Sequence, residues 1–280
     1  MLDVIELMAR PGNEALRFSD VVRELDITQA TAHAILKTLA DRGWITRDPV
    51  TKAFGLGPAL AVVAARTDSA RPLAHAAHEA AVGLCAELGY AASVVERVDD
   101  SLVITAFEAG RDGSHTSQPG RRIPHAPPFG VAFAAWDSAD EQRAWVERSG
   151  STNPELAERL QLVLDRTRER GFDVDWTTPA LGQMTQLVGA LRDDVPANIR
   201  AVMEQLLVEC ATIGLLPEND PARKPQPIAT IAAPVFDRHG HVPLIVAVHP
   251  FTALPMRRVT AIGKRLAAAA NAAAAGSVRG

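Results

Sequence analysis

Several residues with hydrogen-bonding side chains lie together at the start of a segment whose spacing predicts a helix after Thr28. The amide of Gln29 could pair with the edge of an adenine, while Thr31 and His33 could donate to a phosphate or to a base. The outward-facing positions are Thr28, Gln29, Ala30, Thr31, His33 and Lys37. This set suits a helix that reads DNA, although the solvated face of a structural helix bundle would carry the same residue types.

Apolar residues on the other side of the segment would hold it against a small core. Ala32, Ile35, Leu36 and Leu39 fall at positions i, i+3, i+4 and i+7, which is the period of one helix face. A shorter helix should precede it, with Ser19 as its N-cap. The apolar face of that first helix consists of Val21, Val22 and Leu25. Asp26 and Ile27 then form the turn between the two helices. The pattern predicts a helix-turn-helix.

Two short strand candidates follow, at 44–47 and 53–56, around the turn-forming pair Asp48-Pro49. This hairpin would place Arg47 and Lys52 near its tip. Cations at that position suit a wing that contacts phosphate, and the sequence therefore predicts a winged helix-turn-helix.

The charge of this head argues against strong non-specific DNA binding. Residues 1–68 contain eight Lys and Arg and nine Asp and Glu, so the head has a net charge of −1. Such a domain gains counterion release only if its cations lie on one side. An alternative is therefore a small-molecule sensor or interaction protein of the same fold, with weak or lost DNA binding.

The segment ITQATAHAILKTLADRGWITRDPVTKAFGLGPAL at 27–60, followed by a long helix and an α/β region, resembles the IclR-type bacterial transcriptional regulators. Three later stretches extend the resemblance: GRRIPHAPPFGVAFAAW at 120–136, RERGFDVD at 168–175 and IATIAAPVFDRHGHV at 228–242. The resemblance implies an α+β protein with a winged helix-turn-helix at 1–57, a linker helix at 58–70 and a GAF-like effector-binding domain at 71–280. It also implies a homodimer or a dimer of dimers that acts as repressor or activator.

Patterns in the second half agree with such a domain. A helical run from Pro72 should end at Gly89, and strand-like runs follow at 93–97, 102–107, 228–236 and 242–248. Helical patterns cover 144–148, 156–170 and 254–275. Strands with helices segregated around them predict an α+β sensor domain.

The resemblance also points to the place of an effector pocket. Its implied lining residues are Phe129, Gly130, Asp175, Thr230, Ala247 and His249. Ala247 and His249 would share one face of a strand. Family members that sense small oxyacids usually carry serines at these two positions, so a larger ligand, such as an aromatic or medium-sized organic acid, should fit better here. A histidine that ends a strand is otherwise a satisfied structural residue.

An insertion at about 178–226 departs from the family. Two apolar stripes predict helices at roughly 180–192 and 195–211 that form a hairpin. Burial of these stripes would extend the core. Met184 and Met203 could alternatively contribute to an adaptable lid over a hydrophobic ligand.

Signals for other functions are weak. The chain has 280 residues, a net charge of −4, no apolar run long enough to span a membrane and no basic leader, which predicts a cytoplasmic protein without membrane contact. Cys85 and Cys210 lie in helical patterns and should be buried thiols. No nucleophile elbow, phosphate loop or dinucleotide motif occurs, so we expect neither enzyme activity nor a cofactor. His239, His241 and His249 fit a hairpin better than a metal site.

Overall fold

The computed structural model describes residues 1–10, 12–111, 113, 119–176, 197–215 and 224–277. The chain divides into two compact units, Met1–Arg71 and Pro72–Gly280. No helix in the described part of the chain is long and apolar enough to cross a membrane.

The first unit is a winged helix-turn-helix with one small core. Its elements are α1 (Leu2–Met8), α2 (Phe18–Leu25), α3 (Gln29–Asp41), β1 (Ile45–Arg47), β2 (Phe54–Leu56) and α4 (Pro58–Ala70). The strands pair antiparallel, and Leu16 forms an isolated antiparallel bridge with Phe54 of β2. The main buried side chains are Val4, Leu7, Met8, Leu16, Val21, Leu36, Leu39, Ile45 and Phe54.

The prediction that Ser19 caps the first helix is wrong. Helix α2 begins at Phe18 and its N-cap is Arg17, two residues before the predicted cap. The backbone N–H of Arg17 donates to the Asp20 carboxylate over 2.9 Å. The Asp20 side chain therefore provides an acceptor for a backbone N–H at the start of the helix, and Ser19 is not required as a cap.

The second unit contains an antiparallel six-stranded sheet in the order β5-β4-β3-β9-β8-β6. Its strands are β3 (Ala91–Val98), β4 (Ser101–Glu108), β5 (Arg122–Pro124), β6 (Asp173–Asp175), β8 (Thr230–Val235) and β9 (Leu244–His249). A separate ribbon pairs β7 (Gln226–Ile228) with β10 (Thr252–Leu254). The predicted single strand at 228–236 is therefore wrong, because the chain leaves the ribbon at Ile228 and enters the sheet at Thr230.

Helices cover both faces of this sheet. Helices α5 (Pro72–Leu88) and α10 (Met256–Ser277) pack on one face around Val94, Ile231 and Val246. The other face carries Val95, Ala232 and Ala247, and α6 (Val131–Ala134) packs there through Ala132 and Phe133. A sheet with helices on both faces, which follows the helix-turn-helix unit in the sequence, gives the α+β fold with a GAF-like C-terminal domain.

A third layer lies beyond α6 and contains α7 (Ala139–Glu147), α8 (Pro154–Arg170) and α9 (Ala197–Leu215). Leu207 of α9 packs with Leu160 and Leu164 of α8. Helix α9 covers most of the second helix predicted in the insertion. The first predicted helix, with Met184, and the side chain of Met203 lie outside the described residues.

Candidate functional sites

The outer face of α3 carries every polar residue that the sequence singled out for DNA. Thr28, Gln29, Ala30, Thr31, His33 and Lys37 are exposed, whereas Ala32, Leu36 and Leu39 are buried and Ile35 is half-buried. Thr28 caps the helix by accepting from the N–H of Thr31, and the two hydroxyls lie 2.9 Å apart. Lys37 forms an ion pair with Asp41 at 2.6 Å. The helix therefore packs one side against the core and leaves the other to solvent.

The wing turn is held by Asp48. Its carboxylate accepts from the N–H groups of Val50 and Thr51, at 2.8 and 2.6 Å, and these bonds hold the pKa of Asp48 below its usual value, with Thr51 contributing most. Lys52 follows with a positive φ of 62° and donates to the carbonyl of Pro49. The guanidinium of Arg47 lies 5.3 Å from the centre of the Phe54 ring. Both cations are exposed on the hairpin.

A hydrogen-bonded cluster occupies the end of the central strands in the second unit. His249 lies with its Nδ1 3.0 Å from the Thr230 hydroxyl and its Nε2 2.9 Å from the Ser93 hydroxyl. Its ring stacks with those of Phe107 and Phe251, at centroid distances of 6.1 and 6.0 Å. Contacts to both ring nitrogens and to two aromatic rings thus fix the orientation of the imidazole, as a group with a fixed role requires.

The sheet register places the other candidates from the sequence around this cluster. Asp175 lies opposite Thr230, and Ala247 lies opposite both Ala232 and Ser93. Phe129 packs on the same apolar cluster as Ala247, and its carbonyl accepts from the indole N–H of Trp145. Asp175, Thr230 and His249 therefore share the sheet face on which Ala247 and Phe129 pack.

Gly130 lies where only glycine fits. It caps α6 with a φ of 86° and packs directly against the ring of His125. His125 is fully buried, and burial lowers its pKa. Its ring nitrogens have no hydrogen-bond partner within the described part of the chain, since Asp137 lies 3.9 Å from Nε2. Asp137 instead accepts from Arg97 at 2.7 Å.

Sequence reasoning did not identify Ser93, Phe107, Phe251 or His125. A buried serine within the apolar run AASVV was the available signal for Ser93, since an unpaired polar group is costly inside a strand. His125 stood in the PHAPPFG segment that carried the family resemblance. Neither signal alone points to a contact with β9 or with Gly130.

A small cleft, partly open to solvent, lies at the β6 edge of the sheet. It lies next to the Asp175 end of the effector-site candidates. Its walls are Pro128, Val131, Leu160, Val163, Asp173, Val174, Asp175, Trp176, Leu207 and Ala211. Burial raises the pKa of Asp173 to about 6, against the lowering effect of Arg170 and of hydrogen bonds from Val174 and Thr167.

The histidines considered as metal ligands do not converge. His239 and His241 lie on a hairpin loop whose turn is held by Asp237, which accepts from both of their backbone N–H groups. His249 instead faces Thr230 and Ser93. Among the residues that the structure describes, no three His, Cys, Asp or Glu side chains are grouped so that they could hold a metal ion.

Cys85 is half-buried, which differs from a fully buried thiol. Its thiol donates to the carbonyl of Ala109 over 3.2 Å. Burial raises its pKa, and Glu108 adds to this effect. Such a thiol is a weak nucleophile at neutral pH. The side chain of Cys210 lies outside the described residues.

Comparison with known proteins shows a likeness to IclR-type regulators. The family description "IclR helix-turn-helix domain" matches residues 1–49. The HTH-type transcriptional regulator XynR of Escherichia coli (strain K12) is 26% identical over 195 residues, which cover 62% of this chain and 71% of XynR. The chain is thus similar to IclR-type transcriptional regulators, most directly in its helix-turn-helix.

Solved structures of the IclR family share the fold. An IclR transcriptional regulator from Alicyclobacillus acidocaldarius superposes with a TM-score of 0.65 at 19% identity, over 99% of this chain and 96% of that one. An IclR homologue from Microbacterium hydrocarbonoxydans, crystallised with 4-hydroxybenzoate, gives a TM-score of 0.64 at 15% identity, over 99% and 97%. These structures show that the chain has the fold of IclR-type regulators over nearly its whole length.

Proposed function

We propose that α3 of this IclR-like protein reads its operator through Thr28, Gln29, Ala30, Thr31, His33 and Lys37, while Arg47 and Lys52 of the wing contact phosphate. The supporting observation is the division of α3 into one face packed on the core of the head and an opposite face whose residues are exposed to solvent. An exposed polar helix face beside a basic hairpin fits the major groove and the adjacent backbone. We place this operator binding in the cytoplasm.

Two substitutions separate base reading from phosphate binding. Gln29→Ala should change the preferred operator sequence, because an amide that pairs with adenine discriminates by about 1–3 kcal/mol per base. Lys52→Ala should weaken all duplexes alike and reduce the slope of log affinity against log salt by about one unit. Arg10→Ala, which removes an exposed cation outside α3 and the wing, is the matched control. Fluorescence anisotropy on a selected duplex, repeated at several salt concentrations, measures all three.

The rival function is a sensor that no longer binds DNA usefully. The head's net charge of −1 and the pairing of Lys37 with Asp41 favour it. If the wild-type protein selects no duplex from a random library at low salt, the rival function holds. If Arg10→Ala changes the salt slope as much as Lys52→Ala, the proposed role of the wing is wrong.

We further propose that the protein acts as a homodimer or a dimer of dimers. One winged head covers a single half-site, and a head without net positive charge binds it weakly. Two heads held at a fixed separation bind with a much higher effective concentration. The operator is then a near-palindrome.

The proposed effector site is the sheet face around Phe129, Gly130, Asp175, Thr230, Ala247 and His249. Its walls combine aromatic rings, a methyl group and hydroxyls, which suits an aromatic or medium-sized organic acid. The homologue crystallised with 4-hydroxybenzoate supports a ligand of that class. Because His249 is bonded to Thr230 and Ser93, a ligand carboxylate would exchange one of these hydrogen bonds for its own.

Filling this site should block the ligand and its effect on DNA. Hits from a thermal-shift screen of aromatic and short-chain acids should lose their stabilising effect on Ala247→Trp and bind more weakly to Thr230→Val. Thr252→Val, at an exposed threonine of β10, is the matched control. In the wild type the same hits should change operator affinity by about 5- to 150-fold, which is the usual range of allosteric coupling. Hits that stabilise Ala247→Trp as much as wild type would place the site elsewhere.

A further inference from the structure

The hydroxyl of Ser93 lies buried in the sheet of the second unit. Ser93 is fully buried on β3, and within the part of the chain that the structure describes its hydroxyl has one hydrogen-bond partner, Nε2 of His249 at 2.9 Å. A serine hydroxyl can both donate and accept, but it carries a single proton. The direction in which that proton points therefore decides how the imidazole is protonated.

Burial determines the direction of this hydrogen bond. If Nε2 donated to Ser93, the hydroxyl proton of Ser93 would be buried without an acceptor among the described residues, which is costly. If Ser93 donates to Nε2, its proton is paired and only lone pairs remain unused. Ser93 is therefore the donor, and Nε2 of His249 is the acceptor.

The proton of the imidazole then lies on the other nitrogen, Nδ1. An imidazolium would carry a proton on Nε2 as well, and it would again leave the Ser93 hydroxyl without an acceptor. Nδ1 lies 3.0 Å from Oγ1 of Thr230, so it donates to that oxygen and the hydroxyl proton of Thr230 points away from the ring. Thr230 and His249 are half-buried, unlike Ser93. The hydrogen bonds therefore run from the buried serine toward the accessible side of the cluster.

We propose that Ser93 is a positioning residue of the effector site: it holds His249 with its proton on Nδ1, so that Nδ1 and the Thr230 hydroxyl are two neighbouring donors for a ligand carboxylate. The inference rests on the proposed effector site and adds Ser93 to the residues assigned to it. Two donor atoms 3.0 Å apart suit the two oxygens of one carboxylate, which accept and cannot donate. The hydrogen bond that a bound carboxylate exchanges is then the one between His249 and Thr230.

The protonation of His249 can be measured without any ligand. In full-length protein with isotope-labelled histidine, a long-range proton–nitrogen correlation spectrum distinguishes a protonated ring nitrogen from an unprotonated one. The His249→Gln variant identifies the signals of this residue. We expect a proton on Nδ1 and none on Nε2 at neutral pH. A proton on Nε2, alone or together with one on Nδ1, would overturn the inference.

Ser93→Ala tests the positioning role through ligand selectivity. Benzoate and benzamide have nearly the same shape, and each is titrated by isothermal calorimetry. Wild type should bind benzoate about tenfold or more tightly, because only the carboxylate offers an acceptor to both donors. Without the serine hydroxyl the ring proton can move to Nε2, and Nδ1 can then accept from the amide N–H. The preference for benzoate should therefore fall to about threefold or less.

A structural role alone predicts a different result for Ser93→Ala. Loss of packing would weaken benzoate and benzamide by the same factor, and an unchanged ratio of the two affinities would overturn the positioning role. Ser101→Ala is the matched control, because it removes a hydroxyl from β4 at its pairing with Val98, near the other end of β3. It should keep the wild-type ratio. Thermal melting checks that both variants are folded, and if Ser93→Ala is not, the spectrum of wild type decides.

The outcomes separate this inference from the proposed function. If benzoate binds to wild type but the proton of His249 lies on Nε2, the effector site stands and the role of Ser93 is wrong. If the proton lies on Nδ1 but neither benzoate nor any other aromatic acid binds, the ring is held as inferred and the assignment of an acid to this site is wrong. Neither measurement uses DNA, so failure of the operator proposal would leave both unaffected.

Discussion

Gly57→Ala should abolish operator binding, because the winged head cannot accept a side chain at this position. A Cβ atom on Gly57 would overlap the carbonyl oxygen of Gly43 and would lie 2.7 Å from the carbonyl carbon of Trp44. These are backbone atoms, which cannot swing away. The same contact is held by hydrogen bonds from Gly57 N–H to Trp44 and from Ala59 N–H to Gly43, at 2.8 and 3.1 Å. A methyl group there must separate the end of the wing from the end of α3.

The expected loss is large relative to the stability of the head. Overpacking and the loss of two backbone hydrogen bonds together cost about 3 kcal/mol or more. A unit of this size has roughly 4–10 kcal/mol in total, so its melting temperature should fall by more than about 10 °C. Calorimetric melting and an operator titration measure the two effects.

Gly83→Ala is the control for this substitution. Gly83 lies within α5, and a Cβ atom there would meet nothing within 4 Å. It should keep wild-type DNA affinity and gain up to about 1 kcal/mol from improved helix propensity. If Gly57→Ala has the melting temperature and operator affinity of wild type, the backbone contact between the wing and α3 contributes nothing to the stability of the head.

The head could be predicted from sequence because its signals are local. The spacing of Ala32, Leu36 and Leu39 identified the buried face of α3, and the hydroxyl of Thr28 identified its start. The error at Ser19 has a local cause as well. Arg17 is an adequate cap because its backbone N–H donates to Asp20, three residues later. The usual N-cap preference would favour the serine.

The effector face could be predicted only in part, because most of its contacts join distant segments. Alternation along β9 correctly places Ala247 on the face that packs against α6. The partner of Ala247 on β3, Ser93, precedes it by more than 150 residues, and no local pattern specifies that β3 pairs with β9. The family resemblance pointed to Gly130 but not to why a glycine is needed there. The reason is the fully buried ring of His125, which leaves no space for a side chain.

The edge cleft escaped prediction for a similar reason. Periodicity correctly showed that the segment around Leu207 must bury one face, and it suggested a neighbouring helix at 180–192 as the cover. In the structure Leu207 packs on Leu160 and Leu164 of α8, and residues 180–192 lie outside the described part of the chain. A hydrophobic period shows that a face is buried but does not identify the surface that covers it.

Gly130→Ala should destabilise the effector-binding unit strongly, because both the backbone and the space at this position exclude a side chain. The φ of 86° is costly for any residue with a Cβ atom, by about 1–2 kcal/mol. That Cβ atom would overlap Nδ1 of His125 and would lie 2.9 Å from its Cε1 and 3.3 Å from a methyl group of Leu102. Since His125 is fully buried against Phe133, its ring cannot move aside without breaking that contact. Overpacking adds about 1–3 kcal/mol.

The total, about 3 kcal/mol, should lower the melting temperature of this unit by about 5–10 °C and should displace Phe129, the preceding residue, from the effector face. Gly171→Ala separates the two causes, because Gly171 has a φ of 80° but a Cβ atom there would meet nothing within 4 Å. It should show only the backbone cost. His125→Ala combined with Gly130→Ala should recover part of the overlap cost, since removing the ring removes the clash but leaves the strained φ. If Gly130→Ala and Gly171→Ala lower the melting temperature equally, the overlap with His125 contributes nothing to the loss of stability. The ring of His125 then does not hold Phe129 and Gly130 in place.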